Sequence, residues 1–481
     1  MKYALIIIAL LATVGLRAQN IIPQSGRGFA VIRGSVENNT DTSLEYVLPG
    51  FLDDSPDTII IDRGGQFMKR IGVGQEVQDM EIVIGAGAGL YLYVEPNDTI
   101  NLHWDAKDPE ASLSISSPRP GRAMELQTQL LLCKRFIPRL RELDESLYKE
   151  QQPDSVKFRK LNGLYNEEIT ALLARPVTTL TDKIVTDTYF RYAGFLLLHQ
   201  ALEGHDLLLT KPYTGTDVPF LMKQGFPMKR YEVESEEAFR TSSPYRQFLF
   251  NYIRFCKVPF KSYEISEQTW PLLLPDYYKA LGSFHSREMR DWFITKFIMD
   301  GFEFYPFEEA DTVYRDFMTK NPAPFYADTL QRFYADFLKL KPGSPAPGFV
   351  LKNEAGQDVS LSDFRGRMVY IDFWGVGCGP CIWDIKNRVP ALHSKYKDKA
   401  LVFINICVDS DEKAWKNSLR ELNLDGVNLL AEGWTHNLVC KAYHIVGIPH
   451  YCLIGKDGRI INAGAPTPSD AGLFRLIDKH L

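Results

Sequence analysis

The sequence predicts a multidomain chain: an N-terminal β-sandwich-like domain, a mainly helical middle region and a C-terminal α/β domain. Three observations predict it. Short β-like segments broken by turn signals fill residues 26–116, apolar residues recur at helical spacing through 118–340, and strand and helix patterns alternate over 341–481. The 481 residues are long enough for roughly two to four domains. Hydrophobic residues make up 45% and charged residues 24%, proportions that exclude wholesale disorder and a fibrous repeat. A net charge of −5 supplies no basic field to hold nucleic acid or an anionic membrane.

Residues 1–19 read as a signal peptide. Lys2 is basic, Tyr3–Leu16 carries no charge, and Arg17-Ala18-Gln19 supplies a small-residue cut site. The apolar run is shorter than the roughly 20 residues that span a bilayer. The reading places the mature chain in the periplasm or cell envelope; an uncleaved leader would instead tether it to the membrane.

In the first zone the expected strands are Phe29–Val36, Thr58–Ile61, Gln66–Ile71, Glu81–Ile84, Tyr91–Val94 and Thr99–Trp104. Arg63-Gly64-Gly65 and Pro96-Asn97-Asp98 are turn signals between them. Gly85-Ala86-Gly87-Ala88-Gly89 has the look of a phosphate loop but precedes a strand pattern, so it reads as a β-turn. In the second zone Met124–Leu147, Ser155–Leu173, Asp182–Leu202, Tyr245–Phe255, Ser286–Phe302 and Tyr326–Leu340 read as helices. Pro212, Pro219 and Pro227 mark 205–242 as irregular.

The third zone opens on a Pro/Gly-rich entry, Lys341–Gly348. Met368–Trp374 and Ala400–Val408 read as buried strands, and Cys381–Tyr396, Asp411–Leu422 and Ser469–His480 as helices. Gly455-Lys456-Asp457-Gly458 is a hairpin turn between Tyr451–Ile454 and Arg459–Asn462.

Seven cysteines are too few for a disulfide scaffold, and only Cys378 and Cys381 have motif spacing. They follow a buried strand and open a helix. The unpaired N–H groups and partial positive charge of a helix N-terminus favour a thiolate on the first cysteine. Pro380 falls in the first turn, where a missing N–H is harmless. Such a pair can attack a disulfide and resolve the mixed disulfide. Cys407 and Cys452 read as buried small hydrophobes, Cys440 lies in a short helix-like stretch, and Cys133 and Cys256 are candidates for a second disulfide. With nine scattered histidines, no HExxH and no second CxxC, no metal site is expected.

The C-terminal zone resembles the thioredoxin fold, and within it the TlpA/ResA group of exported thiol-disulfide oxidoreductases. Besides Cys378-Gly379-Pro380-Cys381, the resemblance rests on Pro345–Phe349, Val359–Arg367, Tyr370–Trp374 and Val446-Gly447-Ile448-Pro449. It implies a thioredoxin-like domain over 341–481, with Cys378 as nucleophile and Cys381 as resolving thiol. Pro449 would be a cis-proline shaping a substrate groove that Trp374, Gly379, Pro380, Ile448 and His450 line. Asp372 would be the buried acid that assists proton removal from Cys381. Asp384 stands where the group often has Glu, and reads here as a helix-face residue.

Gly377 departs from the usual Trp before the first cysteine, no Lys occupies strand Ala400–Val408, and His450 follows Pro449 where Thr is more usual. His450 either tunes the thiolate or turns away as an ordinary strand residue. The β-rich start and helical middle are similar in layout to a bacterial envelope arrangement.

The resulting expectation is an exported thiol-disulfide oxidoreductase that reduces protein disulfides without a dissociable cofactor. A membrane thiol electron donor would recharge it. The alternatives are an envelope binding module with a docking domain, a disulfide oxidase or isomerase, and a thiol peroxidase.

Overall fold

The computed structural model describes residues 28–52, 56–74, 77–85, 88–131, 234–253, 273–304 and 307–481, with scattered positions between 139 and 194. The leader at 1–19 and the candidate pair Cys133 and Cys256 lie outside the described residues, as do most of the helices expected between 132 and 202. No described helix is long and apolar enough to cross a membrane. The chain divides into two compact units, one holding the described residues of 16–260 and 282–290, the other those of 261–281 and 291–481.

The first unit begins with a β-sandwich. Its strands are β1 (Gly28–Glu37), β2 (Ser43–Val47), β3 (Pro56–Ile60), β4 (Gln66–Val73), β5 (Gln78–Gly85), β6 (Ala88–Val94), β7 (Thr99–Asp105) and β8 (Ser114–Ser116). They form two four-stranded sheets ordered β4-β1-β7-β8 and β3-β2-β5-β6. Alternation along β7 turns Ile100, Leu102 and Trp104 inward, and β4 does the same with Phe67, Ile71 and Val73. These meet Leu44, Tyr46, Ile59, Met80, Ile82, Leu90 and Leu92 of the other sheet in a single core. The turns expected at 63–65 and 96–98 are present. Asp62 accepts from the backbone N–H groups of Gly64 and Gln66, and Asn97 takes a φ of 69° in the turn closed by Asp98 N–H on the Glu95 carbonyl. Strands β5 and β6 flank the glycine-rich stretch as an antiparallel pair. β2 and β8 lie outside the expected strands: β8 has only three residues, and the alternation of β2, which buries Leu44 and Tyr46, runs for only five.

The helices Glu236–Thr241 and Ser243–Tyr252 follow, capped by Ser235 and Ser242. The first falls inside the stretch expected to be irregular. Ser235 with two following glutamates is an N-terminal helix signal that the upstream prolines obscured.

The second unit contains the helices Phe307–Thr319 and Pro324–Phe337 and a seven-stranded sheet. Its strands are β9 (Val350–Asn353), β10 (Asp358–Ser360), β11 (Met368–Trp374), β12 (Leu401–Cys407), β13 (Val427–Leu430), β14 (His450–Ile454) and β15 (Ile460–Asn462), ordered β10-β9-β13-β12-β11-β14-β15. β11, β12 and β13 run parallel, and β14 runs antiparallel to β11. Every residue of β11 is buried, as expected of a strand covered on both faces. Val369, Ile371 and Phe373 enter one core, while Met368, Tyr370 and Trp374 face the helices of the other side.

The stretch expected as one helix, Cys381–Tyr396, is two: Gly379–Asn387 and Val389–Tyr396, broken at Arg388. Pro390 has no N–H to continue the first helix and sits comfortably in the first turn of the second. The helix Pro324–Phe337 packs Phe337 against His444, with ring centroids 4.6 Å apart.

Candidate active site

The site forms where β11 ends. After the loop 375–378 the helix Gly379–Asn387 begins, and Cys378 is its N-cap, with φ −84° and ψ 100°. The Cys378 sulfur accepts from the Cys381 N–H at 3.1 Å, and its carbonyl accepts the first helical bond, from Ile382 N–H at 3.0 Å. One first-turn N–H, that of Cys381, thus points at the sulfur from a helix N-terminus, the arrangement that favours a thiolate. Cys378 and Cys381 are joined in a disulfide with Cα atoms 5.3 Å apart. Cys378 is half-buried with Gly377, Gly379 and Pro380 exposed around it, whereas Cys381 is buried. One sulfur can be reached from solvent and the other only through it.

The Ile448–Pro449 peptide is cis, and the Ile448 carbonyl oxygen lies 3.7 Å from the Cys378 sulfur. Four of the expected site residues, Cys378, Cys381, Ile448 and Pro449, thus come together, with Gly379 and Pro380 beside them. Trp374 does not line an accessible groove: it is fully buried, packed in one cluster with Cys381, Ile385, Cys407 and Trp415. The alternation of β11 turns it under the cysteine helix. His450 donates from Nε2 to the Ala463 carbonyl at 2.8 Å and lies beside Phe373. Burial pushes its pKa down, so the ring is a neutral donor committed to β15's side of the sheet.

Asp372 is buried, and its Oδ1 has no hydrogen-bond partner among the described residues. Burial, reinforced by the charge of Asp384, pushes its pKa up to about 8. Asp384, read from the sequence as a helix-face residue, lies on a covered face of its helix. It is buried, takes a 2.8 Å hydrogen bond from the Tyr451 hydroxyl and pairs with Arg388 at 3.0 Å. Its helical position fits either reading; what buries it is β14, which periodicity within the helix cannot reveal.

Sequence reasoning also missed Asp409. Its carboxylate accepts from the backbone N–H groups of Val376 at 2.7 Å and Gly377 at 2.8 Å. Asp409-Ser410-Asp411-Glu412 signals a helix start, and only Asp411 serves it, accepting from Ala414 N–H. Cys407, Cys440 and Cys452 are buried and unpaired, and burial pushes each thiol up to about 12. Among the described residues no cluster of three or more side chains could hold a metal ion.

A thioredoxin-like sheet, a vicinal cysteine pair capping a helix and a cis-proline facing it define a thiol-disulfide oxidoreductase. Residues 341–473 match the Redoxin family. The chain is 30% identical over 131 residues to the thiol-disulfide oxidoreductase ResA of Bacillus cereus, covering 27% of this chain and 73% of that protein. It is 28% identical over 135 residues to the ResA of Bacillus subtilis, covering 27% and 72%. By these likenesses it belongs to the ResA family of thiol-disulfide oxidoreductases. A crystal structure of a putative thiol-disulfide oxidoreductase from Bacteroides vulgatus is 35% identical, covering 30% of this chain and 99% of that one, with a TM-score of 0.28. The C-terminal domain of a putative thiol-disulfide oxidoreductase from Bacteroides thetaiotaomicron is 25% identical, covering 30% and 97%, with a TM-score of 0.27.

Proposed function

We propose that the protein is exported and reduces disulfides in other envelope proteins, with residues 341–481 as its catalytic domain. The observation that carries this is the asymmetry of the pair, a half-buried Cys378 at a helix N-terminus with Cys381 buried behind it. In the dithiol form, the Cys378 thiolate attacks a substrate disulfide. A Cys378–substrate disulfide forms and one substrate thiolate leaves. Cys381, its proton taken by the Asp372 carboxylate, then attacks the Cys378 sulfur and expels the second substrate thiol. Two electrons pass to the substrate, and the enzyme is left as the Cys378–Cys381 disulfide. A membrane thiol donor returns it to the dithiol. Pro449 and the Ile448 carbonyl bound the groove against which the substrate strand lies. The leader reading at 1–19 supports export, and the β-sandwich and helices up to 340 are accessory domains in this proposal.

The reduction potential of the Cys378–Cys381 pair, measured in defined thiol buffers, tests the direction. The expected value lies near the roughly −270 mV of thioredoxin; a value near the roughly −120 mV of DsbA would make the protein an oxidant and overturn the proposal.

A further inference from the structure

We propose that Asp409 is a positioning residue for this chemistry: by gripping the backbone of Val376 and Gly377 it fixes the loop that presents Cys378, while placing a negative charge beside the nucleophile. The inference rests on the disulfide-reduction reading above and adds a residue to it.

Three observations carry it. First, both carboxylate oxygens are engaged, Oδ1 by Val376 N–H and Oδ2 by Gly377 N–H, the two residues directly before Cys378. Second, strand pairing brings Asp409 there. Trp374 pairs with Cys407 at the ends of β11 and β12, and the Val408 N–H donates to the Trp374 carbonyl at 3.0 Å. Third, the loop is built to admit the carboxylate. A Cβ on Gly375 would lie 2.4 Å from Asp409 Oδ2 and 2.7 Å from Ile448 Cδ1. The carboxylate and the residue preceding Pro449 therefore close on the same glycine, whose carbonyl also accepts from the Cys378 N–H at 3.2 Å. Asp409 thus ties the end of β12 to the loop on which the nucleophile and the cis-proline segment meet.

The electrostatic consequence has the opposite sign to the mechanical one. A carboxylate one residue from Cys378 disfavours its thiolate, against the pull of the helix N-terminus. The other titratable groups on the surrounding elements include Asp384, His450, Cys407 and Asp372. Asp384 is held by Arg388 and Tyr451, and His450 by Ala463. Cys407 is buried, its sulfur 3.3 Å from the Ser410 hydroxyl and its thiol donating to Asp409 Oδ1 at 3.7 Å, and Asp372 lies buried on β11. Removing the Asp409 charge should therefore make Cys378 more reactive to a small reagent and less effective on a protein.

The test uses the full-length reduced protein, wild type and Asp409→Asn, in two assays. Asparagine can accept one of the two loop N–H groups but not both. Iodoacetamide alkylation of Cys378, followed by mass spectrometry from pH 5 to 9, is expected to shift to lower pH. At pH 6 it should run roughly threefold to tenfold faster, the effect of one nearby surface charge. Reduction of insulin disulfides is expected to fall about tenfold or more in kcat/KM, because the loop loses its register. Asp411→Asn, which keeps a capping side chain on the next helix, should retain the wild-type alkylation curve. Asp409→Ser removes the same charge and gives the same alkylation shift if the asparagine variant folds poorly. An unchanged alkylation curve, or a loss of alkylation in step with turnover, overturns the proposal, as does full insulin turnover in both Asp409 variants. A wild-type protein that reduces no insulin would sink the disulfide-reduction reading instead, and the alkylation curves would still decide where the Asp409 charge acts.

Discussion

The Tyr451 hydroxyl donates a 2.8 Å hydrogen bond to Oδ2 of Asp384, joining the strand that follows the cis-proline to the helix that carries the cysteines. Arg388 holds the other oxygen at 3.0 Å, so the carboxylate is neutralised on one side and hydrogen-bonded on the other. Burial, the charge of Asp372 and the hydrogen bond to Asp384 all push the Tyr451 phenol far above its usual range, so it remains a donor at every working pH. Tyr451→Phe leaves a buried carboxylate oxygen without its donor. The expected loss is about 1–3 kcal/mol of stability, read as a lower urea midpoint. A midpoint equal to wild type would show that Arg388 alone suffices.

The cysteine roles predict unequal variants. Cys378→Ser should abolish reduction of protein disulfides. Cys381→Ser should still attack and then stall, accumulating a mixed disulfide between Cys378 and substrate that intact-mass spectrometry detects. Accumulation in Cys378→Ser instead would reverse the assignment.

Asp372 makes stability depend on pH with a definite sign. Its folded pKa, about 8, stands above its ordinary 3.8 because burial disfavours the charged form. The folded state therefore binds the proton more tightly. The contribution is fully present below about pH 4 and is lost as pH rises through 8. Asp372→Asn, which cannot ionise, should be more stable than wild type at pH 9 by a few kcal/mol, roughly 1.4 kcal/mol per displaced unit at most. At pH 5 most of that advantage should vanish. Thermal midpoints of the two proteins across this range would check it; parallel curves would refute the assignment of a buried proton.

In the sandwich, β1 and β7 approach so closely at Gly34 that a Cβ there would lie 1.7 Å from the Leu102 carbonyl oxygen. Gly34→Ala should cost at least about 2 kcal/mol, because backbone on a paired strand cannot yield as a side chain can. A circular-dichroism melt indistinguishable from wild type would count against this register of β1 on β7.

What the sequence determined by itself is the local chemistry and the element types. Period-two burial, the Pro/Gly entry and a cysteine pair opening a helix each follow from neighbours a few residues apart, so the α/β domain and its Cys378–Cys381 centre were readable. Short strands such as β8 and β13 carry too few residues for a pattern. The tertiary structure decided everything that depends on register between distant segments. It set Asp409 beneath Val376 and Gly377 and Tyr451 against Asp384. It turned Trp374 from the groove into the core, and it brought the Ile448 carbonyl to the Cys378 sulfur. The physical reason is range. Hydrogen-bond capping and side-chain alternation are fixed within one turn or two strand residues, while burial and proximity across the sheet exist only once β11, β12 and β14 are paired.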